Sequence, residues 1–275
     1  MPWGSNIIAM LGSAQLSVTF TTDQTDLDLY AYFGSPAGAG VAIVTFSACD
    51  AQSLNIGAWP NGSIVNLILL SSARILGRGG VGGAGGASTP YGHNENAGQV
   101  GQPGNPGGDA LTATGAITVN INLDAGYCFG GGGGGGGGGG SDGSDGAGNY
   151  GGGGGGGGGQ GWQTSIAGGI GGTSTRRAGQ AGTIGTDATN GLGGYSGRHV
   201  AAGHSVPDGD GADAGTWGVA GGTGVTGWNV GRVGGAGGAA GKAINAPATT
   251  FVFNGALTEA QLVTALRIIG ASTHL

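Results

Sequence analysis

The chain has 275 residues, of which 74 are glycine and only 8% are charged. With 38% hydrophobic residues and five Trp, it lacks the charged, apolar-poor make-up of a disordered chain. A net charge of −6 argues against nucleic acid as partner, because phosphate binding needs a basic surface.

The N-terminus, MPWGSNIIAML, has no positive n-region and no clear cleavage site, so it does not read as a signal peptide. Residues 1–76 read as β structure. Segments 16–20, 27–33, 41–48 and 64–70 are rich in Val, Ile, Leu, Phe and Tyr, and Gly- and Pro-containing turns separate them. Within 27–33, Leu27, Leu29, Ala31 and Phe33 alternate with Asp28, Tyr30 and Tyr32, the period of a half-buried strand. A small antiparallel sandwich or barrel is expected. The apolar stretch 64–70 contains Asn66 and is too short to span a bilayer.

Residues 77–242 are dominated by glycine, and the glycine is periodic. Arg78-Gly-Gly, Val81-Gly-Gly and Ala84-Gly-Gly are three triplets in register. Gly98, Gly101, Gly104 and Gly107 keep the period, as do Gly179, Gly182 and Gly185, and then Gly218, Gly221, Gly224 and Gly227. Residues 130–140 and 151–159 are pure glycine. A period of three is that of the left-handed polyproline-II helix, which has no internal hydrogen bonds. Every N–H and C=O must then find a partner outside its own segment. One row of glycine lets a neighbouring backbone approach on one side, and an all-glycine run admits neighbours all round. Collagen needs long unbroken triplet tracts and plentiful proline, whereas this chain has only 8 Pro. A polyglycine-II bundle fits better, with both pure runs in its interior. A strand-like insert, 115–129, interrupts the glycine and could add to the N-terminal sheet.

Residues 243–275 give a short strand near 250–253 and then a helix. Thr258-Glu-Ala-Gln261 fits a capping box, with Leu257 and Leu262 as a hydrophobic staple and Gly270 as the stop. Cys49 and Cys128 read as two buried thiols; one disulfide would not make a framework.

No catalytic or metal motif stands out, so no enzyme activity, cofactor or metal is expected. GxGxxG matches arise by chance among so many glycines. Gly241-Lys242 is followed by Ala243, and Ala236 stands where a P-loop needs its first glycine. His93, His199, His204 and His274 lack metal-ligand spacing, and the acidic loop with Asp208, Asp210 and Asp213 departs from an EF-hand. Aromatics do recur among small polar residues: Tyr91, Tyr150, Trp162, Tyr195, Trp217 and Trp228. Such rings give rigid contact area, as in antibody loops; alternatively some of them cap the sides of the bundle.

From Ile75-Leu-Gly-Arg-Gly-Gly80 through Cys128-Phe129 and its glycine run to Gly241-Lys-Ala-Ile244, the chain resembles the glycine-rich tip adhesins of T-even-like phage tail fibres. The resemblance implies a polyglycine-II sandwich and binding of a bacterial surface receptor, an outer-membrane protein or glycan, through loops at the far end of the bundle. It also implies a virion tail location after synthesis in the host cytoplasm. The organisation expected is a β-rich attachment module (1–76) contacting other tail proteins, a bundle (77–242) and a C-terminal strand and helix (243–275), with no membrane insertion. The N-terminal β region and the C-terminal helix do not match the T-even-like pattern.

Segments of similar length put successive loops at alternate ends. Loops 87–97, 141–150, 173–178 and 198–214 should therefore be distal, while 218–241 is too long for one traverse. Tyr91, His93, Asn94, Tyr150, Arg198 and His199 are the expected receptor-binding residues. A structural tail component without receptor contact, or an ice-binding protein, are the alternative functions.

Overall fold

The computed structural model describes residues 15–70, 72–88, 98–123, 125–140, 152–162, 166–174, 178–195, 209–227, 232–254, 257–265 and 267–273. It is mainly β, with two short helices. The first sheet stacks β1 (Gln15–Phe20), β3 (Val41–Ser47), β6 (Ile64–Leu70), β9 (Thr118–Asn122) and β12 (Thr250–Phe253). The second stacks β2 (Gln24–Thr25), β4 (Asp50–Gln52), β7 (Arg74–Leu76), β10 (Tyr127–Phe129) and β13 (Ile268–Ile269). The third stacks β5 (Leu54–Asn55), β8 (Leu111–Thr112), β11 (Ile244–Asn245) and β14 (Ser272–Thr273). The chain visits the three sheets in rotation, so they form the walls of a solenoid.

Every pairing between these strands is parallel. The expected antiparallel arrangement is therefore corrected. Alternation in sequence decides which side chains point inward, but not the direction of the partner strand. Here the connections after each strand turn a corner onto the next wall instead of reversing, and each strand meets its counterpart one coil later. Inward residues stack in columns: Val44 on Leu67 on Ile121, Ala51 on Ile75 on Cys128 on Ile268, and Leu54 on Leu111 on Ile244. All are buried, and full burial of a Leu, Ile or Phe contributes about 1.5–3 kcal/mol. Insert 115–129 does join the sheets, as β9 and β10.

Segment 27–33 is corrected from strand to helix. Asp28 caps α1 (Leu29–Tyr32), its carboxylate accepting from the Ala31 N–H at 2.9 Å. That local bond competes successfully with the strand ladder. At the C-terminal side the capping box forms as expected: Thr258 caps α2 (Glu259–Thr264), and Gln261 returns the bond. Leu262 is buried, with Leu257 packed against the core. The helix ends at a C-cap on Ala265. Gly270 does not stop it; with φ +119 it turns a solenoid corner.

That corner, between the second and third walls, organises the molecule. Ser53, at φ +50, turns it between β4 and β5. Gly270 and Ala271 turn it between β13 and β14. In the two coils between, the same corner opens into residues 77–110 and 130–243, which hold all the glycine-rich segments.

Backbone bonds define ten such segments among the described residues. Outgoing are 77–88, 130–140, 166–174, 191–195 and 218–227; returning are 98–109, 152–161, 178–186, 209–217 and 232–242. Bonds repeat every third residue. Gly80, Gly83 and Gly86 donate to Gly132, Gly135 and Gly138, each at 2.8 Å. Segment 130–140 exchanges bonds with six others: 77–88, 98–109, 152–161, 209–217, 218–227 and 232–242. Segment 152–161 also has six: 77–88, 130–140, 166–174, 178–186, 191–195 and 209–217. The two pure glycine runs are thus the two central segments, and their described residues are all buried. Six neighbours leave no side free for a Cβ. One built on Gly135 would run into the Ala212 carbonyl, and one on Gly155 into the Gly169 carbonyl.

Candidate functional site

The five outgoing segments all end on the side away from the solenoid, and the five returning ones begin there. Ser88 donates its N–H to the Thr173 carbonyl at 3.0 Å, which places the ends of 77–88 and 166–174 together. Gly140 donates to Gln99 at 2.9 Å and Gly154 to Gly209 at 2.9 Å. Gln180 donates to Tyr195 at 2.8 Å, and Gly227 to Arg232 at 3.0 Å. One continuous network of bonds therefore sets the relative heights of all these ends. The exposed Tyr195 ring, 68% accessible, stands at this end.

The six residues expected to bind a receptor, Tyr91, His93, Asn94, Tyr150, Arg198 and His199, lie outside the described residues, as does Trp228. The chain around them is bracketed by segment ends just described. One boundary is corrected: residues 209–214, taken with loop 198–214, belong to the returning segment 209–217. Stretch 218–241 resolves into two traverses, as its length requires. Asp213 is consequently part of the bundle. Its carboxylate accepts from the Gly193 N–H at 2.9 Å, so it is not a residue of an open acidic loop.

Two of the aromatics sit at the opposite end, against the solenoid. The Trp162 N–H donates to Gly77 at 3.1 Å. Trp217 packs its ring 5.8 Å from Phe129, which in turn lies 5.5 Å from Tyr127. The Trp217 ring is thus packed against the solenoid at the base of the bundle.

The base of the bundle is also fixed by polar groups that no sequence motif singles out. Arg74 of β7 forms a two-pronged pair with Asp50 of β4 and reaches Asp187, in a turn of the bundle, at 3.8 Å. The hydrogen bond that Arg74 donates to Asp50 raises the Arg74 pKa further, against the opposing effect of burial. Asp109 accepts from the Lys242 N–H at 2.7 Å and from the Asn245 amide at 2.6 Å. This joins the points where both excursions return. The Gly241 N–H is occupied by the Gly131 carbonyl, so Gly241-Lys242 offers no cradle of free amides. In the sequence Asp50, Arg74, Asp109 and Asp187 stand only as isolated charges.

Among the described residues no group of three or more His, Cys, Asp or Glu could hold a metal ion. No helix among them is long and apolar enough to cross a membrane. Cys49 and Cys128 are free and buried.

The sequence matches the family model of the phage tail fibre adhesin Gp38 over residues 15–260. Among solved structures, the chain is similar to one in the gp37–gp38 adhesin tip complex of the bacteriophage S16 long tail fibre. That likeness has a TM-score of 0.46 and 19% identity, and covers 95% of this chain and 82% of the other. No curated protein matches the chain. The family match takes in all of the bundle and most of the solenoid, and with them the end at which the segments converge: the chain belongs to the phage tail fibre adhesin Gp38 family.

Proposed function

We propose that this adhesin recognises a bacterial surface receptor, an outer-membrane protein or glycan, through the loops at the far end of its bundle. The observation that carries this reading is the bracketing of stretches 89–97, 141–151, 175–177, 196–208 and 228–231. Each is entered and left by segments whose ends share one side of the molecule. A rigid scaffold that gathers several loops at one end is a common way of building a binding surface. Within it, Tyr91, His93, Asn94, Tyr150, Arg198 and His199 supply rings and hydrogen-bonding groups suited to a protein or sugar surface.

The scaffold itself is proposed to be a polyglycine-II sandwich. Three-residue bond periodicity and the six neighbours of each central run support it. So does backbone geometry: within the ten segments only Gly209 and Gly218 have positive φ, so the rest stay out of the conformations that only glycine readily enters. At about 3.1 Å per residue, an eleven-residue run would span roughly 30 Å.

The β-solenoid is proposed as the part that attaches to another tail protein. Its first coil supports this. Among the described residues β1 pairs only with β3, and an edge strand presents unpaired backbone groups to a partner. Beside it lies an aromatic group in which Phe20 stacks 5.1 Å from Phe46 and meets the exposed Tyr32 edge-on at 5.3 Å.

The test is binding of the purified protein to host bacteria. Tyr91→Ala together with Tyr150→Ala should weaken cell binding about tenfold or more, as loss of about 1.4 kcal/mol requires, with the melting temperature unchanged. Undiminished binding by the double variant would overturn the assignment of the tip. Absence of cell binding by the unaltered protein would favour a purely structural tail role.

A further inference from the structure

We infer that the solenoid and the bundle are one rigid body with no hinge between them. Protein modules joined by a linker move relative to each other by default. Here the chain crosses the boundary four times, and the crossings pair into two uninterrupted parallel ladders. The first leaves the second wall. β7 and β10 pair at Arg74 with Tyr127, Ile75 with Cys128 and Leu76 with Phe129. The same two chains then continue to bond across the boundary, from Gly77 to Phe129, Gly80 to Gly132, Gly83 to Gly135 and Gly86 to Gly138, each at 2.8 Å. No turn and no unbonded residue separates strand from bundle.

The second ladder returns to the third wall. Gly101, Gly104 and Gly107 donate to Val233, Ala236 and Ala239 at 2.8–3.2 Å. Ala110 then donates to Lys242 at 2.9 Å and Leu111 to Ala243 at 3.1 Å, where β8 and β11 pair. The ladders are bonded to each other at the boundary, Gly131 donating to Gly108 and Gly241 to Gly131. Gly130 also donates to Ile269 of the last coil at 2.8 Å. Bending at this boundary would break several backbone bonds at once, and buried backbone groups without partners are costly. The Arg74–Asp187 pair, the two bonds to Asp109 and the Phe129–Trp217 contact stiffen it from outside. Motion of the bundle tip is then motion of the solenoid, and the angle between receptor and attachment point is fixed by the fold.

The experiment places spin labels on exposed positions of the full chain, whose two native thiols are buried. Ser17→Cys with Thr250→Cys spans the solenoid alone; Ser17→Cys with Thr173→Cys spans solenoid and bundle. All three sites are exposed. Pulsed dipolar spectroscopy should give single, equally narrow distance distributions for both pairs. A cross-boundary distribution that is bimodal, or more than about twice as broad as the internal one, overturns the inference. Hydrogen exchange on the unaltered chain provides a second reading: Gly77, Gly130 and Ala110 should exchange as slowly as Ile75 and Gly83. Faster exchange at the boundary alone would reveal a hinge.

Discussion

Gly135 and Gly38 show how differently one residue type is used. Gly135 is enclosed by backbone on all sides, and a Cβ would strike the Ala212 carbonyl. Gly38 has nothing within 4 Å of a built Cβ. Gly135→Val should therefore destabilise by more than the ~1–3 kcal/mol of ordinary overpacking, because the obstacle is backbone that cannot change rotamer. Gly38→Ala should change stability by no more than ~0.5 kcal/mol. Urea melts of the two variants test the contrast; equal midpoints would mean that the central run is not packed as described. At this scale the sequence was legible. Pure runs announce positions where no side chain fits, and both runs are central. The ties made by Arg74, Asp109 and Asp187 were not legible, because each depends on residues distant in the chain that only the fold brings together.

The elements divide along a similar line. Segments 41–48 and 64–70 are recognisable because alternation and β-branched residues mark a strand with one buried side. Their parallel pairing is invisible to alternation. It follows from the corners, some only one or two residues long, that carry the chain onto the next wall. Asp28 shows a different failure: a period-two pattern was overruled by a single capping carboxylate. For the bundle segments the relevant property is phase. In 166–174, Ala167, Ile170 and Thr173 are exposed, while Cβ atoms on Gly169 and Gly172 would meet segment 77–88. One glycine inserted after Ala167 would rotate the following residues by a third of a turn and put Ile170 where Gly171 stands, at which a Cβ would meet the Gly179 carbonyl. Three inserted residues restore the phase. The single insertion should lower the melting temperature by several degrees more than the triple one, as about 1 kcal/mol or more of difference would produce. Equal effects would argue against a three-residue repeat.

At the scale of the whole molecule, the ladders that pass from wall to bundle make separate unfolding of the two parts difficult. Cys128 reports on the solenoid interior: burial pushes its thiol up to about 12. It should be unreactive toward thiol reagents at pH 8 while the solenoid is folded, since the thiolate is the reacting species. Urea should therefore expose Cys128 at the same concentration at which the amides of 130–140 lose protection. Labelling that lags behind amide exchange would show that the solenoid survives alone. Of the candidate site, the sequence made legible where loops are attached, through parity of traverses. Their arrangement depends on loop conformation, which the glycine register does not encode.

The run 130–140 has one further property. Eleven identical residues carry no address: slid by one repeat against its six neighbours, the run would present the same atoms to every partner. Nothing within it distinguishes the correct alignment from its nearest alternatives, so ambiguity must be removed at its ends. Immediately before it, Cys128 is stacked between Ile75 and Ile268, and Phe129 between Leu76 and Ile269. These pairs are chemically distinct from glycine and cannot slip without pulling buried side chains out of the core. The solenoid is thus the origin from which positions along the bundle are counted, and the heights of the loops at the far end are set by residues at the near one.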